Sequence, residues 1–191
     1  AGEGWLKFNI KSKEGRPLSN FFRGEGVEAM GRRYSGGEEA FHGEKFRLAA
    51  SMAATLPSSS QEVGSHEVDA EAVMAHAERF RHVNDPRKAK LMGGKGKQGL
   101  RLPPPVLAAW DGENGSGVHV QRAICQWKLA HDRAVQEALE SSGERPLLHQ
   151  DNRAKASCPW GGRIDKTSGE LIGRNRLGII WTQVRAEWRE A

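Results

Sequence analysis

A glutamate and a lysine seven positions apart are the residues of this sequence that are best spaced to do chemistry together. Phe41, Lys45 and Leu48 follow Glu38 at offsets of three, seven and ten residues, which places all four on one stripe of a helix. Because an unpartnered charge is costly to bury, an acid and a base about 10 Å apart on such a stripe could hold a polar molecule between them. The same pattern also fits a partly exposed helix whose charged side chains reach solvent past the aromatic rings.

The second chemical signal is a cluster of basic residues. The chain has 29 Lys and Arg residues against 24 Asp and Glu residues, a formal charge of +5 at pH 7. Positions 87–101 hold no acidic residue and the following basic ones: Arg87, Lys88, Lys90, Lys95, Lys97 and Arg101. Such a segment attracts a nucleic-acid backbone or a pyrophosphate, although a solvated loop can have the same composition. The sequence leaves both interpretations open.

Cysteine and histidine spacing gives no sign of a metal centre or a disulfide framework. Cys125 and Cys158 are the only cysteines, and two are too few for a disulfide scaffold. His42, His119 and His149 stand alone, without the spacing of metal ligands. We therefore expect a protein without a metal or a resident cofactor.

The composition indicates one globular domain. With 191 residues and 37% hydrophobic content, the chain can form a single core. We expect one domain over 1–191, in which residues 1–4 are a cloning remnant or unstructured. No run approaches the roughly 20 apolar residues that span a bilayer, and the first residues lack the features of a secretory signal. We expect an intracellular protein, cytoplasmic or nuclear, with no obligate protein partner.

The elements that position these residues are predicted to be mainly helical. Alternating residues predict a strand over Trp5–Ile10, and a short strand is expected at about 30–34. Helical periodicity and capping residues predict helices at 37–53, 68–80, 86–91, 118–141 and 174–190. The segments expected to be irregular are 56–65, 102–105, 111–117 and 144–173. The predicted fold class is α+β, a mainly helical domain with a small β-sheet.

Three separated blocks of this sequence stand in a distinctive order. They are Leu18-Ser19-Asn20-Phe21, then Glu38-x-x-Phe41-x-x-x-Lys45-Phe46, then Trp160-Gly161-Gly162 with Gly173-x-Asn175-x-Leu177-Gly178. In order and spacing they resemble the NADAR (YbiA-like) family, and the resemblance extends from about Phe8 to Arg185. The predicted helix at 119–139 is similar to the penultimate long helix of that family, with Trp127-Lys128 in place of its usual Lys-Phe pair.

The resemblance implies an enzyme that hydrolyses an N-glycosidic bond between ribose and a base. The substrate classes implied are ADP-ribose attached to guanine, in nucleic acid or in a nucleotide, and the ribosylamino-pyrimidines of the riboflavin pathway. The first would make the protein a reversal enzyme for guanine ADP-ribosylation, with ADP-ribose as product or bound ligand. A third interpretation is a module that binds ADP-ribose without turning it over, although binding alone would not need both Glu38 and Lys45.

The resemblance also implies roles for individual residues. Glu38 and Lys45 match the catalytic pair of the family. Asn20, Trp160, Gly161 and Asn175 match further positions of the family. The substrate-binding residues that we expect are Ser19, Asn20, Phe21, Phe41, Trp160, Gly161, Arg174 and Asn175. The residues expected to contact a nucleic acid are Arg87, Lys88, Lys95, Lys97 and Arg101. From the residues themselves, Asn20 is equally a turn cap, Trp160 equally a core residue, and Asn175 more often a helix N-cap than a ligand.

Some positions depart from the family pattern. Gly37 replaces the usual small hydroxyl residue before the glutamate, and Glu39 replaces a common histidine. Ser157 stands where the family often has an acid before Trp160, and Asp151 is the nearest displaced acid. These changes leave the Glu38 and Lys45 pair intact, and they leave the choice of substrate open.

Glycoside chemistry gives the pair two possible mechanisms. Cleavage passes through an oxocarbenium-like ribose. A nearby carboxylate such as Glu38 can stabilise this positive ring, or it can activate the attacking water. As a cation, Lys45 could bind phosphate or keep Glu38 ionised. As a neutral amine it could attack the anomeric carbon and form a Schiff base, which requires a lowered lysine pKa. We slightly favour the covalent mechanism.

Overall fold

Helices account for most of the regular structure of this protein. The computed structural model describes residues 4–55 and 69–191. The helices in these ranges are α1 (Gly37–Thr55), α2 (Ala70–Arg79), α3 (Pro86–Gly93), α4 (Pro104–Asp111), α5 (Ser116–His131), α6 (Arg133–Ser141) and α7 (Arg176–Glu190). The strands are β1 (Leu6–Phe8), β2 (Val27–Ala29), β3 (Arg32–Tyr34), β4 (Leu147–His149), β5 (Arg163–Ile164) and β6 (Leu171–Ile172). The predicted α+β class is confirmed.

The strands form three separate two-stranded sheets instead of one small sheet. β1 pairs with β4 in parallel, with Leu6 opposite Leu147, whereas β2 with β3 and β5 with β6 are antiparallel. The predicted strand over residues 5–10 is therefore shorter, and the one near 30–34 is the second strand of a hairpin. Because β1 and β4 are parallel, a tight turn cannot connect them, and a long chain segment lies between the two strands.

Helix α1 is the centre of the fold. It packs against α2, α3, α4 and α5, and its small residues allow close approach. A Cβ at Gly43 would lie 2.8 Å from Cε1 of Tyr34 and 3.2 Å from Cβ of Phe80. Phe46 is fully buried in the same core. Because α1 is surrounded on several sides, its polar residues are enclosed along with its apolar ones.

The single helix predicted over 118–141 is wrong. The chain forms α5 and α6, and Asp132 between them has an extended backbone with φ −122° and ψ 107°. The Asp132 carboxylate accepts a hydrogen bond from the N–H of Ala134 at 3.0 Å. An aspartate that binds the first free N–H groups of a helix is a strong N-cap, so Asp132 ends one helix and begins the next.

A second error concerns helix α4, which was not predicted. Three prolines at 103–105 suggested a stiff connector, but proline is also favoured in the first turn of a helix, where its missing N–H is not needed. α4 begins at Pro104 and ends at Asp111, and it buries Val106 and Trp110. The predicted loop at 56–65, residue 68 of the helix predicted over 68–80, and residues 1–3 of the predicted unstructured start lie outside the described residues.

The segment after β1 is held by the C-terminal half of the chain. Trp181 donates its indole N–H to the carbonyl of Leu18 at 2.9 Å. Lys128 donates its ammonium group to the carbonyls of Pro17 at 2.7 Å and Ser19 at 2.9 Å. These bonds fix the loop that contains the Ser-Asn-Phe block. Among the described helices, none is both long and apolar enough to cross a membrane.

Candidate active site

Glu38 and Lys45 are both buried on α1, with 9% and 8% of their surface exposed. The alternative of an exposed helix whose charges reach solvent is therefore wrong. Oε1 of Glu38 lies 3.2 Å from Nε2 of His42, one helical turn further on. The sequence analysis treated His42 as an isolated histidine, although a spacing of four residues already places it beside Glu38 on a helix.

Lys45 extends to the end of helix α3, where it donates a hydrogen bond to the carbonyl of Gly93 at 2.5 Å. Burial lowers the pKa of Lys45 to about 8, while the carboxylates of Asp111 and Glu38 act in the opposite direction. Carboxylates near a lysine favour its ammonium form and by themselves would raise its pKa. Since the pKa of Lys45 is lowered overall, desolvation is the larger effect. A lysine with this pKa has a neutral fraction of roughly a tenth at pH 7.

A cluster of aromatic rings forms around Phe41, which lies between Glu38 and Lys45 on the same stripe of α1. The ring of Phe41 meets Trp110 and Trp160 edge to face, with centroid distances of 5.0 and 4.8 Å. Trp160 is held in turn, because its indole N–H donates to Oδ1 of Asp111 at 3.1 Å. Trp160 is partly buried, and it packs both against the core around α1 and against the core that contains Trp181.

Asp111 is a site residue that the sequence analysis missed. It was assigned to a loop, but it is the last residue of α4, and its charge acts on Lys45. Its main-chain carbonyl accepts a hydrogen bond from Nη1 of Arg176 at 2.6 Å. Asp111 therefore joins α4, Trp160 and α7 around the lysine, an arrangement that no local spacing in the sequence indicates.

Glu39 is directed away from this pair. It is fully buried and forms an ion pair of 2.8 Å with Arg23. Burial raises the pKa of Glu39, and Arg23 acts against that shift. Its second oxygen, Oε2, has no hydrogen-bond partner among the described residues. The two adjacent glutamates thus have different partners: Glu39 pairs with Arg23, whereas the charge of Glu38 acts on Lys45.

The Ser-Asn-Phe block adjoins the beginning of α1. Asn20 exchanges two side-chain hydrogen bonds with Gln121, at 2.8 and 3.1 Å, so it does not act as a turn cap. A Cβ at Gly37 would lie 2.8 Å from Oδ1 of Asn20, which explains why this position has no side chain. Ser19 is buried, and its hydroxyl accepts the N–H of Phe21 at 3.2 Å. Ser19 and Asn20 therefore hold the loop.

Asn175 has a structural role, and the predicted side-chain N-cap is wrong. Its backbone is left-handed, with φ 48° and ψ 36°, and its side chain does not cap α7. The side chain accepts the N–H of His149 and donates to the carbonyl of Leu147, both at 2.9 Å. These bonds fasten the start of α7 to β4, and a role of Asn175 in substrate binding stays a prediction.

The remaining predicted positions surround Trp160. The carbonyl of Gly161 accepts the N–H of Asn175 at 3.2 Å, and Arg174 is exposed beyond it. His149 was not predicted at the site, yet its ring lies 3.1 Å from the carbonyl of Trp160. Burial lowers the pKa of His149, and the charge of Glu38 is among the influences that raise it. The side chain of Asp151 accepts the N–H of Arg153 at 2.9 Å, and the backbone N–H of Asp151 donates to the carbonyl of Gly162 at 2.9 Å.

The basic segment 87–101 lies on α3 and the loop after it. All six of its Lys and Arg side chains are exposed, and within the described residues none of them forms a salt bridge. Nζ of Lys90 lies 5.5 Å from the ring centroid of Phe21, while the end of the same helix binds Lys45 through Gly93. The segment is therefore adjacent to both the Ser-Asn-Phe loop and the buried lysine.

Comparisons of the chain with protein-family models, curated proteins and solved structures gave no match. The interpretation of the site therefore depends on its geometry and on the sequence blocks described above.

Proposed function

We propose that this protein is an N-glycosidase that hydrolyses the ribose–base bond of ADP-ribosylated guanine and so reverses guanine ADP-ribosylation. Glu38 is the acid/base and Lys45 the nucleophile. The observation that carries this proposal is the burial of Glu38 and Lys45 on one aromatic-lined face of α1, with the pKa of Lys45 lowered to about 8. Burying an acid and a base that form no salt bridge with each other is costly to the fold. That cost favours a role of the two residues in chemistry.

The proposed reaction has two steps. First, the neutral amine of Lys45 bonds to C1′ of the ribose, and the C1′–N bond breaks with its electron pair on the base. Glu38 accepts the proton released by the lysine nitrogen and passes it to the leaving base. The ribose ring opens to a Schiff base, and water then adds to C1′, which releases the sugar and restores the free amine. The sum is the addition of one water across the bond.

The surroundings of the pair support this division of labour. His42 binds Oε1 of Glu38 and orients the carboxylate. Glu38 is buried beside the aromatic cluster of Phe41, and a carboxylate with little contact to water acts more strongly on a developing positive ribose. Gly93 accepts a hydrogen bond from Lys45, and this acceptor positions the amine.

The basic segment supports a guanine that is part of a polynucleotide. Without positions 87–101, the chain would have 23 basic against 24 acidic residues, so this segment carries the net positive charge of the whole protein. Phosphate contacts of this kind make binding depend on salt. We expect the double variant Lys95→Gln/Lys97→Gln to bind oligonucleotides with a smaller salt dependence. The slope of log K against log salt should fall by about two, one for each lost phosphate contact. Hydrolysis of a free ADP-ribosylated guanosine should not change.

The decisive experiment measures release of ADP-ribose from a guanine-ADP-ribosylated oligonucleotide. Wild type should release it, whereas Glu38→Gln should lose activity by about 10²-fold or more. The exposed Glu28→Gln on β2 is the matched control and should remain active. Borohydride should trap a covalent adduct on wild type and none on Lys45→Arg.

Three other results would contradict the proposal in different ways. Tight binding of ADP-ribose without release would indicate a binding module. Release from riboflavin-pathway ribosylamino-pyrimidines alone would indicate a small-molecule glycosidase. Full activity in Lys45→Arg, without a trapped adduct, would keep the glycosidase but replace the covalent step with direct attack by water.

A further inference from the structure

A cleft of about 640 Å³ lies beside the first turns of α7. The loop between α4 and α5 forms one wall and the first turns of α7 form the other. Its lining combines two arginines, polar side chains and apolar ones: Arg174, Arg176, Glu113, Asn114, Gln183, Val118, Ile179 and Ile180. The volume is in the range of natural small-molecule sites.

Arg176 is the unusual residue of this cleft. It is 8% exposed, and it has no salt bridge to a carboxylate within the described residues. The acceptor it does have is a main-chain carbonyl, that of Asp111, and its guanidinium lies 6.0 Å from the ring centroid of Trp160. A buried arginine is normally paired with an anion because its charge cannot be removed at physiological pH. A buried cation that lines a cleft and has no salt bridge can bind an external anion there.

The rest of the lining narrows the chemistry of that anion. Arg174 is a second guanidinium beside the first, and two guanidinium groups match the several oxygens of a phosphate. Ile179 is 49% exposed and presents an apolar surface in the same cleft. Asn114 and Gln183 supply amide donors and acceptors, and Glu113 can accept from hydroxyl groups but would repel a second anion nearby.

We propose that this cleft is a binding site for a phosphorylated small molecule of nucleotide size, with the phosphate on Arg174 and Arg176 and the apolar part against Ile179. The proposal does not depend on the glycosidase chemistry of Glu38 and Lys45. The phosphate could belong to the distal end of the substrate or to a separate nucleotide, and these two sources predict different kinetics.

The test is calorimetric titration with AMP, adenosine and inorganic phosphate. We expect AMP to bind at least about tenfold more tightly than adenosine, since charged hydrogen bonds are stronger than neutral ones. Arg174→Gln should weaken AMP binding by about tenfold, and Ile179→Glu should weaken it further by adding a negative charge. Both residues are exposed, so the variants should fold. The exposed Arg153→Gln is the matched control and should bind AMP like wild type.

Equal binding of AMP by wild type, Arg174→Gln and Ile179→Glu would contradict the proposal that the cleft binds a phosphorylated molecule. Equal binding of AMP and adenosine would contradict it as well. Titration of Lys45→Met separates the two proposals, because it should still bind AMP even if it releases no ADP-ribose. Competitive inhibition of wild-type hydrolysis by AMP would assign the cleft to the substrate. Binding without competition would assign it to a separate nucleotide.

Discussion

Two buried lysines, Lys45 on α1 and Lys128 on α5, have the same proton affinity in different surroundings. They are 8% and 4% exposed. Burial lowers the pKa of each to about 8. Lys128 donates to two carbonyls, those of Pro17 and Ser19, and lies 5.8 Å from the ring centroid of Trp181. Lys45 donates to one carbonyl, and its side chain is near the carboxylates of Glu38 and Asp111.

The comparison separates burial from function. The bonds of Lys128 join a loop to a helix, so its ammonium replaces lost water with fixed carbonyl acceptors. Lys45 has one carbonyl acceptor, and the charges of Asp111 and Glu38 both act on it. A lowered lysine pKa is therefore insufficient evidence of catalysis, because structural networks perturb pKa values too.

The largest expected effect is on catalysis at Lys45. Lys45→Arg keeps a positive charge but cannot supply a neutral amine, because the guanidinium remains protonated. We expect release of ADP-ribose to fall by about 10³-fold or more. The measurement is single-turnover release from the modified oligonucleotide at pH 8. The exposed Lys155→Arg should keep wild-type rates, and comparable rates in the two variants would remove Lys45 from the chemistry.

The next effect is on stability. Here we expect the larger loss from replacing Lys128 and the smaller loss from replacing Lys45. Lys128→Met leaves the carbonyls of Pro17 and Ser19 without their donor, so we expect a loss of about 2 kcal/mol in the free energy of unfolding. Lys45→Met removes a buried charge at the loss of one carbonyl bond, so its stability should change by less than about 1 kcal/mol. Urea denaturation at pH 7 measures both. Equal losses would show that both lysines mainly stabilise the fold.

The stability difference should also depend on pH. Because the pKa of Lys128 is lowered from 10.5 to about 8 in the folded protein, the unfolded chain binds more protons between these values. The folded state of wild type is therefore stabilised as pH rises from 8 towards 10.5, by at most about 1.4 kcal/mol per pH unit. We expect the gap between wild type and Lys128→Met to widen over this range. A gap that is constant with pH would mean that Lys128 keeps its ordinary proton affinity.

The smallest effect sharpens the comparison most. The carboxylate of Asp111 raises the pKa of Lys45, and that of Asp132 raises the pKa of Lys128. Asp111→Asn keeps an acceptor for Trp160, but it removes the charge. The acidic limb of the pH–rate profile should then move to lower pH, by about half a unit.

Asp132→Asn is the matched control for this shift. Asparagine also caps helices well, so α6 should persist, and the charge beside Lys128 is removed in the same way. Its pH–rate profile should coincide with that of wild type. A shift in both profiles would mean that the effect is a general one of net charge.

The part of the site that was predictable from sequence is the part that lies on one helix. Offsets of three and seven residues identified Glu38, Phe41 and Lys45, because helical periodicity alone fixes which residues share a face. Asp111 and His149 escaped prediction since they reach the site through contacts between distant segments. The same limit applies to Asn175, whose amide joins β4 to α7 although its position at the start of a helix suggested a cap.

The errors in the fold have a similar origin. An apolar stripe continues from α5 into α6, so periodicity predicted one helix, and Asp132 as a capping residue was the contrary signal. The prolines before α4 favoured a connector and a helix start equally. The role of the substrate-contacting positions and the family resemblance stay predictions, while the mainly helical α+β class is confirmed.

The pairing of β1 with β4 has a consequence for the order of folding. Leu6 lies opposite Leu147, so the first strand finds its partner only after most of the chain has been synthesised. Contacts this distant in sequence require a large loss of chain entropy before they stabilise anything. The Ser-Asn-Phe loop follows β1 and depends on Lys128 and on Trp181 of the last helix. We therefore expect the wall of the candidate site to close late, and a nascent chain that lacks α7 to contain α1 without a finished site around it.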